Sequence, residues 1–149
     1  MSLPADSSLF FKLVRVVNLT ARPFSESVGR QHQLSLNEWR VMVVLASHPG
    51  VAATDVSDST GLDKMTVSRS LAALERHGRL RRAPHEDLRK TRLHLSADGK
   101  RLFTRIGRQA ERREAELFSS VTAGERKALG RTLDKLIAAV SAGQASETE

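Results

Sequence analysis

The sequence predicts an α+β fold, mainly helical with one small β-hairpin. Three features carry this expectation. Apolar residues recur at helical spacing behind cap residues at Ser35, Asp63, Ser96 and Thr122. Between Thr91 and Leu95 the spacing switches to the alternation of a strand. A chain of 149 residues without cysteine must be held by one apolar core rather than by disulfides.

From the N-terminus, Met1-Ser2-Leu3 carries no weight, and a polar lead precedes the first helix. Leu9, Phe10, Leu13, Val16, Val17 and Thr20 form a broad stripe continuing toward Phe24 and Val28. Pro23, which lacks an N–H, should kink this helix or end its first half. A stripe this wide needs several partners, or else it is the core helix of a monomer.

Leu34-Ser35-Leu36-Asn37-Glu38-Trp39 has the form of a capping box with a hydrophobic staple. Ser35 and Glu38 would satisfy each other's backbone N–H groups, with Leu34 packed on Trp39. The helix that follows should bury Trp39, Met42, Val43, Leu45 and Ala46 and stop at Pro49-Gly50. Val51 to Thr60 should be a short helix. Its propensity is weak, so it should fray and depend on packing.

Asp63 can cap a further helix that Gly78 ends. Val67, Leu71 and Leu74 share one face and should be buried; Met65, Arg69, Ala72 and Arg76 lie opposite, flanked by Thr66, Ser68 and Ala73. Such a face fits a nucleic-acid groove, because Arg69 can reach base edges while the alanines allow close approach. It equally fits an ordinary solvated helix.

The next stretch favours the groove. Arg79 to Ala83 and Thr91 to Leu95 flank a turn-rich tip, Pro84 to Lys90. From Arg76 to Arg92 there are seven Lys or Arg against two acids, a net +5 that repels itself unless a polyanion lies nearby. The chain as a whole carries +7. Nucleic acid is the first candidate partner.

Ser96 should cap a long helix of about 24 residues carrying Leu102, Phe103, Ile106, Ala110, Leu117, Phe118 and Val121, with a basic early half. Thr122-Ala123-Gly124-Glu125 is a second capping box, opening a last helix with Leu129, Leu133, Leu136, Ile137 and Val140. From residue 141 the small polar tail is expected to be disordered.

In order and spacing these segments resemble the MarR family of bacterial transcriptional regulators. The resemblance runs through Leu34, Leu36 and Trp39-Arg40-Val41, then Gly61-Leu62-Asp63-Lys64 and Thr66-Val67-Ser68-Arg69, then Leu74 and Gly78. It continues with Arg81-Arg82, the Asp87-x-Arg89 signature and Leu95-Ser96-x-x-Gly99. Departures are Ala52 where a capping Ser or Thr is usual, Val56 for Leu, Ser57 for Ala, Thr60 for an apolar residue, and Arg79 for an apolar residue. Arg79 would then add a phosphate contact or lie in solvent.

The resemblance implies a winged helix-turn-helix domain over 35–96, an N-terminal dimerisation helix over 1–34, C-terminal dimerisation helices over 97–140 and a tail over 141–149. It implies a homodimer on double-stranded DNA with a pseudo-palindromic site, the helix between Gly61 and Gly78 in the major groove and Arg89, steered by Asp87, in the minor groove. Lys64, Arg81, Arg82, Lys90 and Arg92 would meet phosphate; Arg69, with Met65, Thr66 and Ser68, would select bases. Regulation would come from a small effector, with repression the expected mode. Aromatic and basic groups near the helix junction, Phe11, Arg15, His32, Trp39 and Arg40, suggest a cleft suited to an aromatic acid.

Other classes find little support. The five histidines show no metal-ligand spacing, so neither metal nor cofactor is expected. No nucleophile elbow or phosphate loop occurs, and an enzyme is not expected. With no cysteine, thiol sensing by this chain is ruled out. No stretch resembles a membrane span or signal peptide, so a cytoplasmic protein is expected. Two alternatives keep the same domain: a nucleic-acid binder without sequence choice, and a protein-interaction module without effector control.

Overall fold

The computed structural model describes residues 4–147; Met1-Ser2-Leu3 and the last two residues of the expected tail lie outside them. The elements run α1 (Leu9–Phe24), a π turn (Ser25–Gly29), α2 (Arg30–His32), α3 (Leu36–Ser47), α4 (Ala53–Thr60), α5 (Lys64–Arg76), β1 (Leu80–Pro84), β2 (Thr91–Leu95), α6 (Ala97–Leu117) and α7 (Ala123–Glu147). By contact the chain forms two compact units, Met1–Ile106 and Gly107–Glu149.

The first unit is built around α3 and α5. Val41, Met42, Leu45, Val56, Val67, Leu74 and Leu93 are almost wholly excluded from water, with Phe24, Val28, Leu34, Leu71, Leu80, Leu95 and Ile106 completing the core. The anticipated stripe of α5 is therefore the buried one. Ser70 joins it, its hydroxyl donating to the Thr66 carbonyl at 2.8 Å, so burial leaves that hydroxyl satisfied.

The Ser35 box forms as expected. The Glu38 N–H donates to Ser35 Oγ at 3.0 Å and the Ser35 N–H to Glu38 Oε2 at 2.8 Å. The expected buried face of α3 needs one correction: Val43 is 38% exposed, and Val41 and Val44 are buried instead. The reason is rotational, since α3 is packed against α5, α4 and β2, which together decide the covered arc.

The first α-helix ends one residue beyond Pro23, in keeping with the expected break there. α-helical bonding reaches Phe24, and the chain then widens into a π turn, which admits one extra residue per turn. Phe24 and Val28 are buried, so the end of the 1–34 segment belongs to the core of the first unit. The rest of α1 leaves Leu9, Phe10, Phe11, Leu13, Val14, Val16, Val17 and Leu19 exposed.

Departures in the short helix carry local bonds. The Ala52 N–H donates to Asp55 Oδ2 at 2.9 Å, which keeps the reciprocal half of a capping box, while alanine offers no hydroxyl to accept a first-turn N–H. Ser57 Oγ donates to the Leu62 carbonyl and Thr60 Oγ1 receives the Leu62 N–H at 3.1 Å, tying α4 to the turn before α5.

β1 and β2 pair antiparallel, Leu80 opposite Leu95 and Arg82 opposite Leu93. Val51 bridges Leu93 on the other side of β2. Ser96 fastens the hairpin to α6: Oγ receives the Gly99 N–H at 3.0 Å and donates to the Gly78 carbonyl at 2.6 Å, while its N–H donates to the Arg79 carbonyl at 3.0 Å.

In the second unit α6 ends at Leu117, so Phe118 and Val121 fall in the connecting turn rather than the helix. The Thr122 box forms, with the Glu125 N–H on Thr122 Oγ1 at 3.1 Å. Arg126 lies 4.8 Å from the Phe118 ring centre and donates to Glu114 at 2.9 Å. α7 continues to Glu147, through most of the segment where the sequence suggests disorder. Once a helix is nucleated, each added residue needs only propagation, and Ser141 to Glu147 contains no proline to stop it. α7 buries no residue; Leu129, Leu136, Ile137 and Val140 are exposed.

Candidate nucleic-acid interface

The start of α5 is fixed by Asp63. Its Oδ1 receives the Thr66 N–H and its Oδ2 the Thr66 hydroxyl, each at 2.8 Å. These two bonds, the backbone one first, hold the Asp63 carboxyl below its ordinary pKa, so the cap stays ionised across the neutral range. Gly78, at φ +70°, turns the chain out of α5 in a conformation that a Cβ disfavours.

Lys64, Met65, Ser68 and Arg69 are exposed on the side of α5 away from the core, with Met65 66% accessible. Thr66 is half-buried and spends its hydroxyl proton on the cap. It positions the helix start as well as lying beside the exposed face.

At the hairpin tip the expected pairing of Asp87 with Arg89 is present. Asp87 Oδ1 receives the Arg89 N–H at 3.0 Å and Nε at 3.2 Å, and Oδ2 receives Nη2 at 3.3 Å. Arg89 keeps 90% of its side-chain surface open. Its guanidinium, and then its backbone N–H, hold the Asp87 carboxyl below the usual range.

The remaining basic residues fall into two sets. Arg82 donates to Glu75 at 2.8 Å and Arg92 to Glu86 at 2.6 Å; the second pair lowers the Glu86 pKa. Arg92 also reaches the Gly50 carbonyl at 3.3 Å. Exposed pairs of this kind exchange readily for another anion. Lys64, Arg69, Arg81 and Lys90 are exposed and form no ion pair with any described residue.

Arg79 is neither in solvent nor offered to phosphate. Its guanidinium donates to the Gln33 carbonyl at 3.0 Å and to the His32 carbonyl. It thereby ties the end of α5 to the left-handed turn at Gln33, φ 49°, that precedes α3.

His94 stands opposite Arg81 on the hairpin. Partial burial, then Arg81, Lys100 and Arg92, push its pKa down, so its neutral form is favoured.

The proposed effector residues are not all gathered. Trp39 lies between Phe24 and Phe103, ring centres 6.3 and 5.1 Å away, so Phe24 rather than Phe11 is its aromatic neighbour from α1. Arg40 binds Asn37 Oδ1 at 3.1 Å. His32 gives its carbonyl to Arg79, while Phe11 and Arg15 lie exposed one turn apart on α1. No group of three or more His, Cys, Asp or Glu among the described residues could hold a metal ion, and no described helix is long and apolar enough to cross a membrane.

Sequence reasoning missed Glu75 and Glu86 as the partners of Arg82 and Arg92. It also missed the anchoring role of Arg79, whose acceptors lie 46 and 47 positions away. Only the local signal, an arginine where an apolar residue is usual, marked that position.

Comparison with known proteins agrees with this geometry. A MarR family model matches residues 32–90, which span α3 to the hairpin tip. The homoprotocatechuate degradative operon repressor of Escherichia coli is 26% identical over 119 residues, covering 79% of this chain and 80% of the repressor. The crystal structure of a MarR/EmrR family regulator from Acinetobacter sp. ADP1 superposes with a TM-score of 0.85 at 26% identity, over 93% of this chain and 99% of that one. In fold the chain is also similar to BpsR of Bordetella bronchiseptica, described for the regulation of its DNA binding by 6-hydroxynicotinic acid (TM-score 0.75, 21% identity, 91% and 98% covered). The capped helix and the arginine at the hairpin tip lie within the matched residues, and over them the chain is similar to the MarR family of winged-helix transcriptional regulators.

Proposed function

We propose that two copies of the chain bind one duplex, each laying α5 in the major groove and the hairpin tip in the minor groove, and that the dimer represses transcription until a small aromatic acid binds. The observation that carries this is the pairing of two exposed elements on one unit: α5 with Arg69 outward, and Arg89 clamped by Asp87 at the tip.

Arg69 selects a base, helped by Met65, Thr66 and Ser68, since arginine can donate two bonds to one guanine edge. Lys64, Arg81, Arg82, Lys90 and Arg92 neutralise phosphate, which gives affinity that falls steeply with salt. Arg82 and Arg92 leave Glu75 and Glu86 when they do so.

Dimerisation accounts for the exposed apolar side chains of α1 and α7, which a lone protomer leaves in water. The working division is 1–34 and 97–140 for the two-fold contact and 35–96 for reading DNA. A two-fold axis sets the reading helices about 34 Å apart, one helical turn of duplex, and requires a pseudo-palindromic site.

The effector reading is supported by the relatives: one is a repressor of a homoprotocatechuate degradative operon, another responds to 6-hydroxynicotinic acid. Trp39, between Phe24 and Phe103, would hold the ring, and Arg40 and His32 the carboxylate; Phe11 and Arg15, exposed on α1, would have to approach Trp39 for the whole set to share one ligand. An effector acts only by binding one spacing of the two reading heads better than another. Trp39 fluorescence follows such binding, and no change with a panel of aromatic acids would count against this cleft.

Selection of bound duplexes from a random pool tests the main reading. An inverted repeat is expected; a pool that stays random after selection would leave a nucleic-acid binder without sequence choice.

A further inference from the structure

Leu88 occupies the apex of the hairpin tip and is 97% exposed; the next most exposed large apolar residue described is Leu9, at 78%. Leu9 belongs to an apolar stripe along α1, and Ile137 and Val140 to one along α7. Leu88 has no such neighbours. It stands among Glu86, Asp87, Arg89 and Lys90, where any polar residue would be better solvated.

Its backbone is held on both sides. The Asp87 N–H donates to His85 Nδ1 at 2.9 Å, the Arg89 N–H to Asp87 Oδ1 at 3.0 Å and the Lys90 N–H to the Asp87 carbonyl at 2.9 Å. The turn therefore presents Leu88 beside the clamped Arg89 in a fixed setting, so that contact costs little further ordering.

We propose that Leu88 senses the width of the minor groove, packing its methyl groups against the deoxyribose walls beside Arg89. This rests on the reading of the hairpin tip as a minor-groove element. A leucine ends two bonds beyond its Cβ, whereas an arginine's terminal nitrogens lie five bonds beyond. In a groove about 7.5 Å deep and about 6 Å wide, Arg89 reaches toward the base edges while Leu88 stops at the sugar walls.

Sugar C–H edges are alike for every base pair, so the contact carries no base code. Its strength depends on how close the walls stand. In an A-tract the groove is narrow and Leu88 meets both walls; in a wider G·C groove it meets one. The narrow groove also deepens the negative potential around Arg89. Leucine and arginine thus register the same shape by two independent means, contact and charge.

Full-length protein is titrated onto two duplexes that share the selected major-groove core but carry either A-tract or G·C sequence where the tip lands. Wild type should prefer the A-tract. Leu88→Ala should lose roughly three- to tenfold on the A-tract, as losing part of one buried leucine side chain implies, and little on the G·C duplex. Its salt dependence should match wild type, whereas Arg89→Ala should lower the salt slope by about one. Leu88→Asn, which keeps a turn-forming residue at the apex, should behave as the alanine variant does. Equal affinities for wild type and Leu88→Ala, or an equal loss on both duplexes, would overturn the proposal. Failure of wild type to bind either duplex would instead overturn the DNA reading, and this inference with it.

Discussion

Replacing Gly99 by alanine should damage the joint between the hairpin root and α6. An added Cβ would stand 2.2 Å from the Arg79 carbonyl oxygen and 3.1 Å from its carbon. Neither is a flexible side-chain end, so relief requires moving backbone, and that carbonyl is already held by the Ser96 N–H at 3.0 Å. Overpacking of this kind costs about 1–3 kcal/mol, here at the upper end, against at most about 1 kcal/mol returned by alanine's better helix propensity. A net loss of about 2 kcal/mol lowers Tm by roughly 4–8 °C in a chain of this length. Gly107, on the same helix, provides the comparison: nothing lies within 4 Å of its added Cβ, so Gly107→Ala should be neutral or stabilising. Thermal unfolding of both variants, followed by far-UV circular dichroism, reads the difference. If Gly99→Ala unfolded at or above the temperature of Gly107→Ala, the close approach at the hairpin root would be refuted.

Arg69→Ala should cost about 1–3 kcal/mol of binding and relax selection at one base pair; equal loss on every sequence, seen by repeating the duplex selection, would remove its reading role. Arg79→Ala should lower Tm and weaken DNA binding together, because it frees the joint between the end of α5 and the turn before α3; binding loss with unchanged Tm would mean that its bonds to His32 and Gln33 do not hold in solution. Acid should destabilise the protein in two stages. His94 is depressed in the folded state, so the unfolded chain takes up its proton first and stability starts to fall as pH drops below the ordinary value of 6.5. Asp63, Glu86 and Asp87 are also depressed, and their contribution, present above their unfolded values, is lost as pH falls through the lowered ones. Tm measured against pH should lose its first stage in His94→Gln and keep the second.

Local signals were the most legible part of the sequence. The boxes at Ser35 and Thr122 and the cap at Asp63 each involve residues three apart and form as their residue types require. So does the Asp87 hold on Arg89, two positions away. What depended on distant neighbours was harder to read. Val43 fits the helical stripe yet lies outside, because the positions of α4, α5 and β2 decide which arc of α3 is covered. Arg79 looked like a free cation because its acceptors belong to a turn far back in the chain. The end of α7 has a composition that suits disorder as well as helix, and only continuation from the preceding turns decides between them.

Hydroxyl-radical footprinting of the selected duplex, with wild type and Arg89→Ala side by side, tests the central claim most directly. Wild type should protect a two-fold symmetric pattern, two core segments about one helical turn apart, each flanked by a protected minor-groove stretch. Arg89→Ala should lose the flanks and keep the core. A single unsymmetrical protected segment, or flanks that persist without Arg89, would contradict a paired helix and arginine-tipped hairpin as the DNA-reading device.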